Sequence, residues 1–525
     1  MDPQTSNAES KRCSIKKRTC LLFADGFRQE TLLLIKNSIP LIFNNFSQTF
    51  LPIVSLFFCG HIGPNELAAV TLANTFINIG SFSTLVGLSS ACDTLFPQLF
   101  GGMDKKKLGS VLQKAIILSI LSCLPTCGIL LNVKNIMALF IREKIIIQLA
   151  DRYIVIFLPS ILFYSIYIIL QKYVLSQNIF YPILYINIVV NLLNVAFHGF
   201  FISYLGLGID GGAISVVLSI FLNLTFLLLY IWMSKLYQQT WSGWKIDCLY
   251  DWNDYLKLAL PGFAMLFFEW TNFEIGVIAS GKLGRDQISV MSIGIQTIYI
   301  AFMIPLGIAT AANIRIGQLL GQNLPSKAKY SCKIGFLIAF ASSLMTGMTI
   351  LIFSNHIPLA FTKDPFIIKN TTSQLKFIAF AHLLDALQGY GGGVLKATGL
   401  QFYGFLMVTL SFYGVGIPVG IYLLLKTDFQ VTGYWMGFVT AAIILLVMQG
   451  LFIHRIDWIK NAQKAFDRSL EKPFKSATSE LRDVNEAHEM VLQKPSKKNL
   501  IEKISICLTL FGIFVCLLLS RNLVR

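Results

Sequence analysis

The stretch Leu260-Pro-Gly-Phe-Ala-Met-Leu-Phe-Phe-Glu-Trp-Thr-Asn-Phe-Glu-Ile-Gly-Val-Ile-Ala279 decides the class of this protein. It reads as a membrane helix at every position but two, Glu269 and Glu274. A carboxylate at bilayer depth costs about 3 kcal/mol even on lenient insertion scales, so by default it marks a transport or proton pathway.

The rest of the chain has the composition that such a helix requires. Of 525 residues, 55% are hydrophobic and only 13% charged, with a mean hydropathy of +0.65. This is the balance of a polytopic membrane protein. The net charge of +16 is concentrated in connectors, where loops facing anionic lipid account for it without a nucleic-acid partner. Ten cysteines are scattered, mostly through apolar segments. Cys123 and Cys127 are four apart with no second pair to complete a metal site, so no metal or other cofactor is expected. Residues 1–36 are polar and basic, without the short apolar core of a cleavable signal.

Apolar runs of about 20 residues occur about thirteen times, at 38–59, 67–90, 111–133, 153–174, 182–204, 211–234, 256–280, 288–311, 333–354, 374–395, 402–425, 431–453 and 501–521. Basic residues gather in alternate connectors: Lys105 to Lys107, Lys235 to Lys257, Arg315 to Lys333, and Arg455 to Lys498. The positive-inside rule then places the N-terminus in the cytoplasm and, after an odd number of spans, the C-terminus outside. Of three sequons, Asn370-Thr-Thr is expected in an outer connector and open to glycosylation, whereas Asn45-Phe-Ser and Asn223-Leu-Thr fall within spans.

The chain repeats itself. Phe100-Gly-Gly-Met-Asp-Lys-Lys-Lys matches Leu320-Gly-Gln-Asn-Leu-Pro-Ser-Lys, Gly60-His-Ile-Gly matches Gly281-Lys-Leu-Gly, and Leu175 before Phe180-Tyr-Pro matches Leu395 before Phe402-Tyr-Gly. All three pairs lie about 220 residues apart. Six spans return a chain to its starting side, so the spacing implies two like-oriented six-helix halves and alternating access around a central cavity. The expected organisation is a basic N-terminus at 1–36, an N-lobe at 37–234, a connector at 235–255 and a C-lobe at 256–454. A charged tether without apolar periodicity, disordered or surface-helical, follows at 455–500, then a last span and outer tail at 501–525.

Cys59-Gly-His-Ile-Gly, Glu66-Leu-Ala-Ala-Val-Thr-Leu-Ala, Gly87-Leu-Ser-Ser-Ala-Cys-Asp-Thr-Leu, Trp241-Ser-Gly-Trp, Phe268-Glu-Trp, Gly391-Gly-Gly-Val-Leu-Lys and Gly416-Ile-Pro-Val-Gly give the chain its resemblance. From about Ile35 to His454 it is similar to multidrug and toxic compound extrusion (MATE) transporters, of the animal branch with an extra C-terminal helix. The resemblance implies an all-α, two-lobed bundle in the cell membrane that exports organic cations, such as quaternary ammonium compounds, in exchange for protons. A monomer is expected.

It also implies roles for residues. Glu269 matches the seventh-helix glutamate used for proton and cation coupling, where a proton and a cation could compete for one carboxylate. Glu274 matches a second family glutamate; five residues on, it points roughly 140° away and need not share the cavity, a structural ion pair being the other reading. Asp385 stands one methylene short of a tenth-helix glutamate, with His382 one turn before it and able to share its proton. Asn45, Asn78 and Trp270 match cavity positions. The asparagines can orient a ligand or bond between helices, and the Trp270 ring can face a cation or anchor at the interface.

Three positions depart from the family. Gln296 replaces an acid on the eighth helix, and Phe273 and Phe302 stand where tyrosines are expected. The cavity loses charge, which favours as a second reading the same fold carrying an endogenous metabolite or coupling to ions differently. Asp93, at the cytoplasmic end of the second helix, reads as a structural ion-pair or capping residue rather than a substrate ligand. Pro261-Gly262, Pro305-Leu-Gly307 and Pro418 are hinge candidates or static kinks. No nucleophile elbow, phosphate loop or metal-spaced histidine pattern points to an enzyme.

Overall fold

The computed structural model describes residues 26–138, 143–244 and 246–470; the expected thirteenth span and the first 25 residues lie outside them. Twelve long helices follow in order: α1 (Phe27–Ile62), α2 (Pro64–Gly101), α3 (Lys107–Leu131), α4 (Lys144–Leu175), α5 (Tyr181–Tyr204), α6 (Ile209–Met233), α7 (Asn253–Ser280), α8 (Arg285–Gly321), α9 (Pro325–Ile352), α10 (Pro365–Thr398), α11 (Gln401–Lys426) and α12 (Gln430–Arg455). A shorter helix, α13, spans Trp458–Ser469. Among the described residues ten of these helices are long and apolar enough to cross a membrane. The two long helices that fall short, α7 and α10, are those that carry Glu269, Glu274, His382 and Asp385.

Local chemistry sets the helix ends. Pro64, Pro325 and Pro365 open α2, α9 and α10 at the first helical position, where a missing N–H is harmless and φ is already helical. Asp364 caps α10 by accepting from the backbone N–H of Phe366 at 2.8 Å and of Ile367 at 3.2 Å. The ends of α4 and α10 turn through Asn178 (φ 62°) and Gly399 (φ 76°), the left-handed exit common at helix C-termini. Wide π turns interrupt α2 at Asn78–Phe82 and α11 at Thr409–Gly416, and another ends α5 at Gly199–Tyr204.

The two halves pack about a pseudo-twofold axis that can be read residue by residue. On α2, Gly87 lies against the Phe263 backbone of α7; on α8, Gly307 lies against the Ile42 backbone of α1. Further along, Gly101 meets the Gln318 carbonyl and Gly321 meets the Gln98 carbonyl. Each contact recurs about 220 positions on with the partners exchanged, as an ancestral duplication requires. Gly262 and Gly307, beside Pro261 and Pro305, let these helices approach Ser90 and Ile42, and both prolines sit within continuous helices. Arg315 closes the same seam with a two-point bond to Glu30, Nε to Oε1 at 2.9 Å and Nη2 to Oε2 at 3.0 Å. These interlobe contacts gather at the end bearing Lys105 to Lys107, the basic end. At the opposite end Gly212 packs on Cys59, and Gly276 on Met291 and Tyr434, each within its own half.

Two expectations need correction. The stretch after 455 was expected to lack apolar periodicity, but α13 buries Trp458, Ala462, Ala465 and Ser469 at helical spacing, against Ile316 and Leu319 of α8 and Ala328 and Cys332 of α9. Four small or aromatic residues among charged ones are a narrow stripe, easily missed by eye. Asn370, expected in a connector, stands in the second turn of α10 with its Nδ2 bonded to the Phe366 carbonyl at 2.9 Å. Asp364 and Pro365 start the helix ahead of it.

Candidate functional site: a carboxylate pair bridged by one amide

Helix α7 leaves the interlobe seam at Phe263, and Glu269 follows six residues on, about 9 Å further along the axis. There α10 supplies Asp385 and Gln388, one turn apart and so on one face. Gln388 Nε2 donates to Glu269 Oε1 at 2.8 Å and to Asp385 Oδ1 at 3.0 Å. Asp385 and Gln388 are buried, at 5% and 1% exposure. Glu269 is only half-buried, and is therefore the member of the trio that an arriving molecule meets first. Two acids sharing one neutral donor can hold exchangeable protons and, when ionised, attract cations.

Other candidates lie elsewhere. His382 is fully buried, and its Nε2 pairs with the Thr346 hydroxyl of α9 at 2.7 Å. The proton sharing expected between His382 and Asp385 is not formed; the packing of α9 on α10 takes the imidazole instead. Phe273 turns into the C-lobe core, its ring 5.3 Å from Phe438 and 6.4 Å from Trp435. Phe302 packs over Gly389, where a methyl group would strike its ring, so it borders the site from α8. Asn45 donates to the Met303 carbonyl at 3.3 Å, tying α1 to α8. Asn78 is exposed at the start of the π turn in α2, and Trp270 is half-buried beside Glu269. Gln296 and Glu274 are half-buried on their helices. Neither bonds to the Glu269–Gln388–Asp385 trio, and Glu274 forms no ion pair among the described residues.

Gln388 was missed in the sequence. Its signal is the amide one turn after Asp385, unremarkable until α7 supplies the second acid. A buried polar chain in the N-lobe was missed too: Tyr167 donates to Asn187 Oδ1 at 3.0 Å, and the Asn187 amide bonds to Asn44 Oδ1. A pocket of about 340 Å³ between α1, α8 and α9 is lined by Phe46, Thr297, Thr346, Thr349 and apolar side chains. It has no charged wall and does not compete as a cation site.

Asp93 behaves as read: the Lys172 ammonium lies 2.9 Å from its carboxylate and bonds to the Ser89 carbonyl at 3.1 Å. Lys172→Met strands a largely buried acid and is expected to lower stability by about 1–3 kcal/mol. Thermal unfolding in detergent checks this, with Asp93→Asn/Lys172→Met recovering part of the loss. An unchanged midpoint in the single variant would show that the pair is not structural.

Fold and site together define a two-lobed membrane carrier, and the comparisons with known proteins agree. The chain belongs to the MatE family, whose profile matches residues 40–199 and again 261–422, one copy per lobe. Multidrug and toxin extrusion protein 1 of Oryctolagus cuniculus is 34% identical over 446 residues, covering 85% of this chain and 78% of that protein. The Homo sapiens protein of that name is 34% identical over 451 residues, covering 86% and 79%. Among solved structures, the eukaryotic MATE transporter AtDTX14 superposes with a TM-score of 0.82 at 25% identity, over 85% of this chain and all of that one. The Vibrio cholerae transporter VcmN in its bent form has the same fold, with a TM-score of 0.74 at 15% identity. The protein is a multi-pass membrane transporter of this family.

Proposed function

We propose that the protein exports organic cations in exchange for protons by alternating access, with Glu269 and Asp385 as the coupling pair. The observation that carries this reading is the single Gln388 nitrogen held between the two carboxylates. Acids this close cannot both stay ionised without a partner, so the site holds either protons or a cation. The names of the relatives, multidrug and toxin extrusion proteins, support a broad cargo range. Glu274, Trp270, Phe302 and Gln296 are assigned to the surroundings of the pair, and Asn45, Asn78, Phe273 and His382 to its supporting frame. We place the basic end in the cytosol of a cell-membrane monomer, so that the closed seam corresponds to a carrier open to the outside.

The second reading rests on Gln296. A cavity with one acid fewer holds strongly basic cargo less well, which suits a weaker base or an endogenous metabolite.

Tetraethylammonium flux across imposed pH gradients tests both. Flux that follows the gradient in the wild type supports cation–proton exchange. A wild type inert to tetraethylammonium, with flux appearing in Gln296→Glu, would transfer the case to the second reading. Flux indifferent to pH in both proteins would reject proton coupling.

A further inference from the structure

Gln388 does more in this geometry than fill space. Both hydrogens of its amide are directed at carboxylate oxygens, one on Glu269 and one on Asp385. Its Oε1, equally buried, has no hydrogen-bond partner among the described residues. A buried side-chain carbonyl without a partner is unfavourable, so the position of this side chain is set by the two acids. An amide NH2 group offers two donors and no charge, so it can occupy the place of a cation between two acids that keep an exchangeable proton.

We propose that Gln388 is a displaceable plug of the cation site, its amide nitrogen holding, in the empty carrier, the position between Glu269 and Asp385 that a cargo ammonium takes. The inference rests on the reading of those two acids given above. An arriving cation enters at half-buried Glu269 and displaces the amide, because a full charge attracts carboxylates more strongly than a dipole does. When the cargo leaves, the amide swings back, so the acids are not left without a donor and release is eased. Gln388 therefore holds affinity down and turnover up. It is a positioning residue that competes with the cargo for the same oxygens.

The test is tetraethylammonium exchange by the full chain carrying Gln388→Met, near-isosteric and without donors, normalised to the amount at the cell surface. The expected result is a split: KM falls about ten- to hundredfold, the range set by hydrogen bonds to charged groups, while kcat falls by a similar factor. A side chain needed only for packing would reduce surface amount and leave KM alone. KM and kcat both unchanged, or KM raised, would overturn the proposal. Should Gln388→Met fail to reach the membrane, Gln388→Asn is read the same way, its amide being one methylene too short to span both acids. Glu269→Gln is run alongside. If that variant transports normally, the assignment of the acids fails and the plug with it; if it is inactive while Gln388→Met behaves as wild type, only the plug fails.

Discussion

Glu269→Gln abolishes gradient-driven tetraethylammonium exchange while the protein still reaches the cell surface. The substitution preserves shape and leaves an oxygen able to accept from Gln388 Nε2, so the 2.8 Å bond that docks α7 on α10 has a replacement. What it removes is the charge and the proton-binding group together. An amide cannot carry a proton across the cycle, and it offers a cation only a dipole where a carboxylate offered a full charge. The remaining acid, Asp385, is 5% exposed, less accessible than half-buried Glu269. The flux of the variant should therefore fall to that of cells lacking the transporter, at every pH gradient. Wild-type flux with unchanged gradient dependence would remove Glu269 from the mechanism.

The second large effect is expected at the seam. A side chain at Gly321 would overlap the Gln98 carbonyl, and one at Gly101 would overlap the Gln318 carbonyl. Both obstacles are backbone, which cannot swing aside as a long side chain can. Gly321→Val must push α8 off α2, and overpacking of this kind costs about 1–3 kcal/mol. The cost falls on the arrangement in which the basic end is shut, so the closed-to-open ratio drops roughly five- to hundredfold. Alternating access needs both arrangements populated, so flux per surface transporter should drop by up to the same factor. Gly450→Val is the control, since nothing lies within 4 Å of a Cβ built there. Equal flux in the two variants would mean that closing this seam does not govern transport.

The readable parts of the sequence were those set by the bilayer and by duplication. Apolar runs located the helices because a span has no other way to satisfy its backbone in lipid. The 220-residue spacing revealed the halves because Gly101 and Gly321 have the same task on either side of one axis. The acids stood out because charge at depth is rare. Less readable was anything depending on which neighbour a side chain meets. His382 and Asp385 look like partners on a helical wheel, yet Thr346 of α9 takes the imidazole. Phe273 and Phe302 both read as cavity rings, yet only Phe302 borders the acids. Gln388 gave no sign by itself, because a lone glutamine in a span has many ordinary uses.

The two halves are not quite equals, and α13 is where they differ. In the first half, Asn178 at the end of α4 donates to Gln318 Oε1 at 3.1 Å while Gln318 Nε2 holds the Ser176 carbonyl at 2.8 Å. In the second, Gln98 holds the Ala397 carbonyl at 2.8 Å, but the left-handed residue at that helix end is Gly399, which has no side-chain amide to offer. The guanidinium of Arg468 fills that gap: its Nη1 reaches Gln98 Oε1 at 2.8 Å and would lie 3.7 Å from a Cβ at Gly399. A residue that arose outside the duplicated unit thus completes a contact inside it. A transporter cut after residue 455 would keep all twelve long helices and both acids of the proposed coupling pair, yet lose one of the two mirrored fastenings. For anyone engineering a shortened or tagged version, the part of this carrier that must be kept extends at least to residue 470, past the last residue of the repeat.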